Sequence, residues 1–391
     1  MNRRGPPVFV TLVFGAMLLS AGGIQLGIEL NRGELPQMLE LFARAPRATQ
    51  LRAYEERLES ESWLAKRLRP WMQCALFILL NDPGEKVVRG RDSWFFYRPG
   101  IEYLTQRTRV DPGSGDPVTA IRDYRDQLAG RGIHLVIVPA PNKESIYPEQ
   151  LTRRAEALPL AVGRTTRSVM GQLRSAGIEV VDLFELYGGA KPGLAQGQGL
   201  YLVQDSHWSP LGVEFAARAV AERLIERGWV ESGDTDYATR AAPTKRVGDV
   251  LRMLDVARIE ARFEPEQVST RQVIRAATGE LYRDDPLAEV LVLGDSFLRI
   301  YEQDEPGAAG FVAHLARELG RPVASVINDG GASTLVRQEL HRRPALMQNK
   351  RVLVWEFVER DLRLGLEGWQ QVPLPPAVAI AVDGPDDGSS P

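Results

Sequence analysis

The stretch Leu291-Val292-Leu293-Gly294-Asp295-Ser296-Phe297 joins a buried strand to a tight turn. The apolar run 290–293 is typical of a strand that is covered on both faces, as in a parallel sheet. Gly294 permits a sharp bend, and the residues after it can begin a helix. Ser296 is therefore predicted to lie at the carboxyl edge of the sheet, where open α/β folds usually place their functional groups. Because a serine hydroxyl alone is a poor nucleophile, this position needs a base and a group that orients the base.

The chain offers one conspicuous base for that serine. It has four histidines, and only His207 combines a short-range acidic neighbour, Asp205, with a Gly-rich approach. In an extended segment, residues two positions apart point to the same side. A local turn would let Asp205 hold one ring nitrogen and leave the other for Ser296. Each of these short motifs, taken alone, is more often a surface or capping feature than a catalytic one.

The order of predicted elements is that of a doubly wound α/β domain. Strands are predicted at 134–139, 178–183, 290–293, 323–327 and 352–358, and helices at 118–131, 158–176, 210–228, 309–319 and 334–347. This alternation predicts a parallel sheet with right-handed crossovers. Residues 86–97 are interpreted as two short strands around a turn. Residues 231–285 fit no clear pattern and are interpreted as an insertion before the central strand, which is taken to be 290–293.

The first part of the chain carries a candidate membrane segment. Arg3 and Arg4 precede an uncharged stretch, 5–28, that is about long enough to cross a bilayer. Residues 1–32 are therefore expected to form a transmembrane anchor, and the alternative is a signal peptide removed at the small residues 20–23. Helical spacing predicts a stalk over 33–84. The composition of 366–391 predicts a disordered tail.

Composition excludes several classes of function. The formal net charge of −3 argues against a general nucleic-acid-binding protein. The single cysteine, Cys74, excludes an intrachain disulfide and any site built from several cysteines. No cluster of histidine, cysteine and carboxylate residues at ligand spacing stands out along the chain. Neither a metal nor another cofactor is therefore predicted.

Several groups of residues together resemble a known family. Gly294-Asp295-Ser296 and Asp205-x-His207 are similar to the two halves of the SGNH (GDSL-type) hydrolase site, but in reversed order along the chain. That permuted order resembles the AlgX/AlgJ-like polysaccharide O-acetyltransferases. Further matches lie at 90–97, 141–143, 147–149, 205–209 and 355–360. The resemblance covers residues 86–361 and implies an SGNH-like α/β/α sandwich over 85–365, with a mostly parallel central sheet.

The resemblance implies acetyl transfer by two displacements. Ser296 is the implied nucleophile, His207 the general base and Asp205 the group that orients the base. An acetyl-serine forms first, and a sugar hydroxyl then collects the acetyl group. The tetrahedral oxyanion of each step needs donors already in place. The backbone N–H of Ser296 is one expected donor, and Gly330 or Asn328 in the next loop is the other.

Three more side chains are candidates to contact a polysaccharide or to shape the site. They are Lys143, Arg299 and Tyr301. The alternative for Lys143 and Arg299 is a solvated loop charge, and for Tyr301 it is simple packing.

The resemblance also implies partners and a location. The acceptor would be a polysaccharide, and a multi-spanning membrane O-acyltransferase would supply the acetyl group. A single N-terminal span would hold the chain in the inner membrane with the catalytic domain in the periplasm, or cleavage would release it there. Two other functions fit the same residues. One is an acetylesterase with water as acceptor, and the other is a non-catalytic polysaccharide-binding component of an export complex.

Overall fold

The structure is a computed structural model that describes residues 11–12, 15, 23–33, 51–52, 63–105, 115–158, 163–364 and 368–376. These residues belong to two compact units, Met1–Gly84 with Asp255–Ala261, and Glu85–Leu254 with Arg262–Pro391. Most of the predicted membrane segment, 5–28, lies outside the described residues, as does 377–391 of the predicted tail. No helix among the described residues is both long and apolar enough to cross a membrane.

The second unit holds all the strands found in the described part of the chain. They are β1 Val87–Arg89, β2 Phe95–Tyr97, β3 His134–Ala140, β4 Glu179–Val180, β5 Tyr237–Ala241, β6 Thr244–Arg246, β7 Glu266–Val268, β8 Arg271–Arg275, β9 Val290–Gly294, β10 Ala324–Ile327 and β11 Val352–Val358. β1 and β2 pair antiparallel, which confirms the two short strands predicted at 86–97.

The described α-helices alternate with these strands. They are α1 Trp63–Ala75, α2 Arg98–Thr105, α3 Pro117–Ala129, α4 Lys143–Ile146, α5 Pro148–Leu151, α6 Arg164–Ser175, α7 Leu183–Ala190, α8 Pro210–Glu226, α9 Asp249–Arg252, α10 Ala257–Glu260, α11 Ser296–Arg299, α12 Phe311–Leu319, α13 Leu335–His341 and α14 Asp361–Leu364. A π-helical turn, Leu76–Leu80, continues α1, and residues 23–31 are also helical. Short 3₁₀ turns occur at Arg153–Ala155, Lys191–Gly193 and Pro344–Met347.

Five parallel strands form the central sheet, in the order β10-β9-β11-β3-β4. Every residue of β9 and β11 is buried, so both faces of the sheet are covered, as an α/β/α sandwich requires. The prediction that β9 is the central strand is wrong, because β11 lies in the middle and pairs with both β9 and β3. The carboxyl ends of parallel strands share one edge, which brings the loops after β3, β9 and β10 together.

The predicted strand at 178–183 is much shorter than expected. Only Glu179–Val180 pairs with β3, because Asp182 begins α7 instead. Its side chain accepts a hydrogen bond from the Glu185 amide at 3.1 Å, an N-cap that ends the strand. At α8, Ser209 is the N-cap and Pro210 the first helical residue. Ser209 Oγ accepts from the Gly212 amide at 3.2 Å.

Residues 231–285 form a pair of nested antiparallel ribbons between α8 and β9. The outer ribbon pairs β5 with β8, and the inner ribbon pairs β6 with β7. Helix α9 lies at the tip of the inner ribbon, and residues 255–261, which include α10, belong to the first unit. The segment is therefore ordered, with its own strand pairing.

The expected disorder of 366–391 is wrong for residues 368–376. Trp369, Val372 and Leu374 are buried, and Trp369 Nε1 donates to the Asp361 carbonyl at 2.8 Å. The Leu374 amide donates to Gln127 Oε1 on α3 at 2.8 Å. The burial of these side chains together with these hydrogen bonds holds the segment against the domain.

Candidate active site

Ser296 follows β9 directly and begins α11. Asp295 is the N-cap of that helix, and its Oδ1 accepts from the Phe297 amide at 2.8 Å. The Asp295 carboxylate therefore satisfies a backbone group of the turn. Gly294 is needed for space, because a Cβ there would lie 2.4 Å from Glu356 Oε2. The turn can therefore sit tightly against β11, with Ser296 half-buried at the edge of the sheet.

The fold brings the three predicted residues into one hydrogen-bonded series. Ser296 Oγ lies 2.9 Å from His207 Nε2, and His207 Nδ1 lies 2.6 Å from Asp205 Oδ1. This geometry assigns the proton to Nδ1, which donates to Asp205, and leaves Nε2 to accept from the serine hydroxyl. Asp205 also accepts from the His207 amide at 3.1 Å, so a local turn holds the pair together.

Trp208 packs between the His207 turn and the Ser296 turn on the buried side of the site. It is fully buried, and its Nε1 donates to the Phe297 carbonyl at 3.0 Å. Its ring packs edge-to-face on Phe297 at 5.2 Å. The residue after the base thus contacts the residue after the nucleophile, so Trp208 is a packing residue with no face open to a sugar.

Arg246, from the inserted ribbon, completes the surroundings of Asp205. Its Nε donates to Asp205 Oδ2 at 2.8 Å, and the Asp249 amide donates to the same oxygen at 3.1 Å. Burial alone would raise the pKa of Asp205, but His207 and Arg246 outweigh burial and hold the pKa well below its ordinary value. The carboxylate is therefore kept ionised inside the protein.

Asp249 contacts the site a second time through its side chain. Its Oδ1 accepts from the Ser206 amide at 2.6 Å and its Oδ2 from Ser206 Oγ at 2.6 Å. Oδ2 lies 3.6 Å from His207 Nδ1. Burial, and after it Asp205, raises the pKa of Asp249. Burial lowers the pKa of His207, but Asp205 and then Asp249 outweigh it, so that pKa lies above its ordinary 6.5.

Arg246 and Asp249 were not predicted from the sequence. They lie 41 and 44 residues beyond Asp205, in a segment without clear periodicity. Gly248, between them, is the one local sign. A Cβ at Gly248 would lie 2.1 Å from the Gln204 backbone, so only glycine lets the ribbon pass this close to the Asp205 turn.

The same three residues form a cluster at metal-ligand spacing. One ligand atom each from Asp205, His207 and Asp249 lies within 4.8 Å of the others. The sequence shows no such cluster because Asp249 lies 44 residues beyond Asp205, and only the fold adds it to the pair. Hydrogen bonds already occupy these atoms: Asp205 Oδ2 accepts from the Arg246 guanidinium, and Asp205 Oδ1 from the His207 ring.

Lys143 is a buried structural residue. Its Nζ donates to the carbonyls of Phe95 at 2.7 Å, Val203 at 2.7 Å and Asp205 at 3.0 Å. Burial lowers its pKa to about 8. Two of the three earlier interpretations are corrected: the ammonium is neither a solvated loop charge nor a polysaccharide contact, since it is 2% exposed. It instead ties the Asp205 turn to β2 and so helps to shape the site.

Tyr301 and Arg299 differ in their exposure. Tyr301 is fully buried and its hydroxyl donates to the Trp208 carbonyl at 3.3 Å, so its role is packing and a substrate contact is ruled out. Arg299 lies one turn after Ser296 with 30% of its side chain exposed. It pairs with Asp304 and, at 2.7 Å, with Asp329. Arg299 alone of the three predicted side chains can reach a ligand in solvent.

The loop after β10 lies beside the nucleophile turn. The Asn328 amide donates to the Gly294 carbonyl at 3.0 Å. Gly330 donates its N–H to Asn328 Oδ1 at 2.9 Å. The Gly330 amide is therefore engaged within its own loop, which counts against it as an oxyanion donor. With Oδ1 accepting, the Asn328 side chain presents Nδ2 as a donor.

A cleft of about 510 Å³ lies against the Arg246 side of the site. Arg246 and Asp249, which contact Asp205, form part of its wall. Its other charged residues are Lys245, Arg252, Arg299, Asp304 and Glu305. Lys245, Arg252 and Glu305 are exposed, so the opening presents two cations and one carboxylate to solvent.

A parallel α/β domain that brings Ser296, His207 and Asp205 into one hydrogen-bonded series is typical of an SGNH hydrolase-like protein, here with the two motifs in reversed chain order. The chain belongs to the family described as "SGNH hydrolase-like domain, acetyltransferase AlgX", which matches residues 87–359. The resemblance noted from the sequence is confirmed at the level of the family.

Individual relatives agree with this assignment. The chain is 28% identical over 371 residues to the probable alginate O-acetylase AlgJ of Pseudomonas putida, across 90% of this chain and 88% of that protein. The solved O-acetyltransferase domain of P. putida AlgJ matches with a TM-score of 0.57 and 24% identity, over 71% of this chain and 92% of that chain. AlgX of Pseudomonas aeruginosa matches with a TM-score of 0.54 and 20% identity, over 71% of this chain and 66% of that chain. These two structural matches show a shared fold.

Proposed function

We propose that the chain is a polysaccharide O-acetyltransferase that works through an acetyl-Ser296 intermediate. The observation that carries the proposal is the series Ser296 Oγ to His207 Nε2 at 2.9 Å and His207 Nδ1 to Asp205 Oδ1 at 2.6 Å. Membership of an acetyltransferase family supports acetyl as the group that is transferred. Relatives named as alginate O-acetylases support a polysaccharide as the acceptor.

In the first displacement His207 acts as the general base. Nε2 takes the proton of Ser296 as Oγ attacks the acetyl carbonyl, while Asp205 stabilises the imidazolium that forms. The Ser296 amide and Asn328 Nδ2 donate hydrogen bonds to the oxyanion. When the tetrahedral intermediate collapses, the bond to the leaving group breaks and the imidazolium gives that group its proton. Ser296 is left as an acetyl ester.

In the second displacement a sugar hydroxyl takes the place of the leaving group. It gives its proton to His207 Nε2 and attacks the acetyl carbon, and Ser296 regains its proton from the imidazolium as the acetyl sugar departs. If water attacked instead, the product would be acetate and the enzyme an esterase. The acceptor site, rather than the triad, decides between these outcomes.

The cleft beside Arg246 is the proposed acceptor site. Its volume of about 510 Å³ is in the range of small-ligand sites. The exposed Lys245 and Arg252 suit the carboxylates of a polyuronate, and Arg299 lies on the same wall. This charge pattern supports an acidic polysaccharide as the ligand of the cleft.

The acetyl supplier and the location belong to the same proposal. A multi-spanning membrane O-acyltransferase would deliver the acetyl group to Ser296 on the periplasmic side. The uncharged stretch 5–28 would hold the chain at the inner membrane, or a cleaved signal peptide would release it into the periplasm.

The test follows the acetyl group itself. The full chain in detergent is incubated with an acetyl-ester donor, with and without oligouronate, and products are identified by mass spectrometry. Acetylated oligouronate together with an acetylated Ser296 peptide is expected, and Ser296→Ala should abolish both. Ser232→Ala, at an exposed serine, is the matched control. Free acetate alone would favour the esterase. Absence of turnover in the parent and in Ser296→Ala alike would reject both enzymes and favour the non-catalytic component.

A further inference from the structure

The first unit contains a strongly basic and apolar helix. Helix α1, Trp63–Ala75, and the π-helical turn Leu76–Leu80 together carry three cations, Lys66, Arg67 and Arg69, and no acidic residue. Two tryptophans and a run of large aliphatic residues fill most of the remaining positions. This composition is unusual for a helix whose side chains face water.

One face of this helix exposes large apolar side chains. Leu68, Trp71, Met72 and Leu79 are 51%, 59%, 61% and 78% exposed. Their spacing of three, four and eleven positions from Leu68 places them on a single stripe, with the exposed Ala75 between them. An apolar stripe of this kind marks an interaction surface when it is turned to solvent.

The covered positions of the helix lie away from this stripe. Phe77 is buried, and Gln73, Cys74 and Leu76 are half-buried. The large apolar side chains of the stripe therefore remain exposed, whereas an ordinary helix of a soluble protein buries such side chains against the core.

Cations lie beside the indole rings of this surface. Arg67 lies over the Trp63 ring at 5.9 Å, and Arg258 of α10 lies over the Trp71 ring at 4.0 Å. Tryptophan and arginine together are typical of the headgroup region of a bilayer, where each side chain keeps one polar and one apolar end satisfied. Helix α10 and its flanks also bring Asp255 and Glu260, but neither lies within 63–80.

We propose that the stripe Leu68, Trp71, Met72, Ala75 and Leu79 lies in the headgroup region of an anionic lipid bilayer. The apolar side chains would enter the acyl boundary, and Lys66, Arg67 and Arg69 would meet anionic headgroups. A second copy of the same face is a poorer occupant, because self-pairing would bring the three cations of each copy together. The proposal does not depend on the acetyltransferase assignment.

The test measures how deeply single positions of the full chain enter the bilayer. A nitroxide is placed at Ala75→Cys in a Cys74→Ser background, and the matched control label is at Lys66→Cys on the polar side of the same helix. The chain is bound to phosphatidylcholine vesicles with phosphatidylglycerol and isolated by flotation. Accessibility to oxygen and to a nickel chelate is then measured by electron paramagnetic resonance. Position 75 should show an oxygen-to-nickel ratio several-fold above that of position 66.

Charge and lipid variants sharpen the result. Lys66/Arg67/Arg69→Gln should lower the oxygen-to-nickel ratio at position 75 several-fold on the anionic vesicles, even where the stretch 5–28 keeps the chain bound, since each cation near a charged surface contributes about fivefold to the binding of the helix. Circular dichroism checks that the helix persists. Equal ratios at positions 75 and 66 would overturn the proposal. Protection of position 75 from both reagents without lipid would also overturn it, because that result indicates a second copy. Lipid exposure of position 75 only in native membranes would overturn it as well, because that result indicates a membrane-protein partner.

Discussion

Arg246 Nε donates to Asp205 Oδ2 at 2.8 Å, while Asp205 Oδ1 accepts from the His207 ring at 2.6 Å. The carboxylate that orients the base is thus itself held from its other side. An inserted ribbon supplies this contact from 41 residues away. The positive charge stabilises the ionised carboxylate that the proposed imidazolium needs, so Arg246 would act through Asp205 as a positioning residue.

Replacing Arg246 should lower the rate without weakening acceptor binding. Arg246→Met removes a charge-assisted hydrogen bond to a buried carboxylate, and we expect kcat to fall about 10- to 100-fold. Arg246→Lys keeps the charge but loses the planar fork, so it should recover part of the loss. The measurement is kcat and KM with an acetyl-ester donor and oligouronate. A raised KM with unchanged kcat would instead make Arg246 an acceptor contact in the cleft.

The pH profile should report the charge of Asp249. His207 must be neutral to act as a base, so kcat/KM should rise with pH through a pKa above 6.5. Asp249 is one of the carboxylates that raise this pKa. Asp249→Asn should therefore move the rising limb to lower pH, and Asp234→Asn, at an exposed carboxylate, should leave it in place. An unmoved limb in Asp249→Asn would show that the 3.6 Å contact has no influence on the base.

Lys143 should matter for stability and leave acceptor affinity unchanged. Lys143→Met leaves the buried carbonyls of Phe95, Val203 and Asp205 without their donor. We expect the free energy of unfolding to fall by about 3 kcal/mol in urea titrations. Lys86→Met, at an exposed lysine, should change it by less than about 0.5 kcal/mol. Unchanged stability with a raised KM for oligouronate would restore the substrate-contact interpretation.

Glu359 should make the fold less stable as pH rises. Its carboxyl accepts from the Asn142 amide at 2.9 Å, from Ser145 Oγ at 2.5 Å and from Thr166 Oγ1 at 2.7 Å. Burial nevertheless raises its pKa from 4.5 to about 7. Between these two values the folded state holds a proton that the unfolded state has lost, so stability falls across that window and levels off above it.

The variant Glu359→Gln has no proton to lose at this position and should show a smaller decline, since burial also raises the pKa of Glu144 to about 7 and that of Glu302 to about 8. Relative to the parent, it should gain roughly 3 kcal/mol in unfolding free energy between pH 5 and 8. Urea titrations at a series of pH values measure the difference. Parallel curves for parent and variant would mean that Glu359 is ionised in the folded protein throughout.

Much of the framework follows from short-range patterns. The apolar run 290–293, the Gly-Asp-Ser turn and the Ser209-Pro210 helix start each depend on residues a few positions apart. The structure contains each of these features, at β9, α11 and α8. The expected grouping of Ser296 with His207 also occurs, although the two are 89 residues apart. The His207 turn does not directly follow a strand of the sheet, and tertiary contacts such as Trp208 Nε1 to the Phe297 carbonyl at 3.0 Å hold it beside Ser296.

Other features depend on packing partners that no local pattern reveals. The position of β11 between β9 and β3 comes from pairing along its whole length. The ordering of 368–376 comes from the burial of Trp369, Val372 and Leu374. The sequence gives no sign that Lys143 is buried. Only in the folded protein do three carbonyls, from β2 and the Asp205 turn, accept its hydrogen bonds in place of water.

The sequence by itself determined the alternating α/β order, the turn that carries Ser296 and the pairing of Asp205 with His207, because these rest on periodicity and turn chemistry within a few residues. Only the tertiary structure decided what surrounds that pair. Arg246 and Asp249 contact Asp205 although they lie 41 and 44 residues away in the chain. Their ribbon can approach the Asp205 turn because Gly248 has no side chain. Contacts between residues this far apart in the chain depend on how whole strands and helices pack, and no local sequence pattern predicts them.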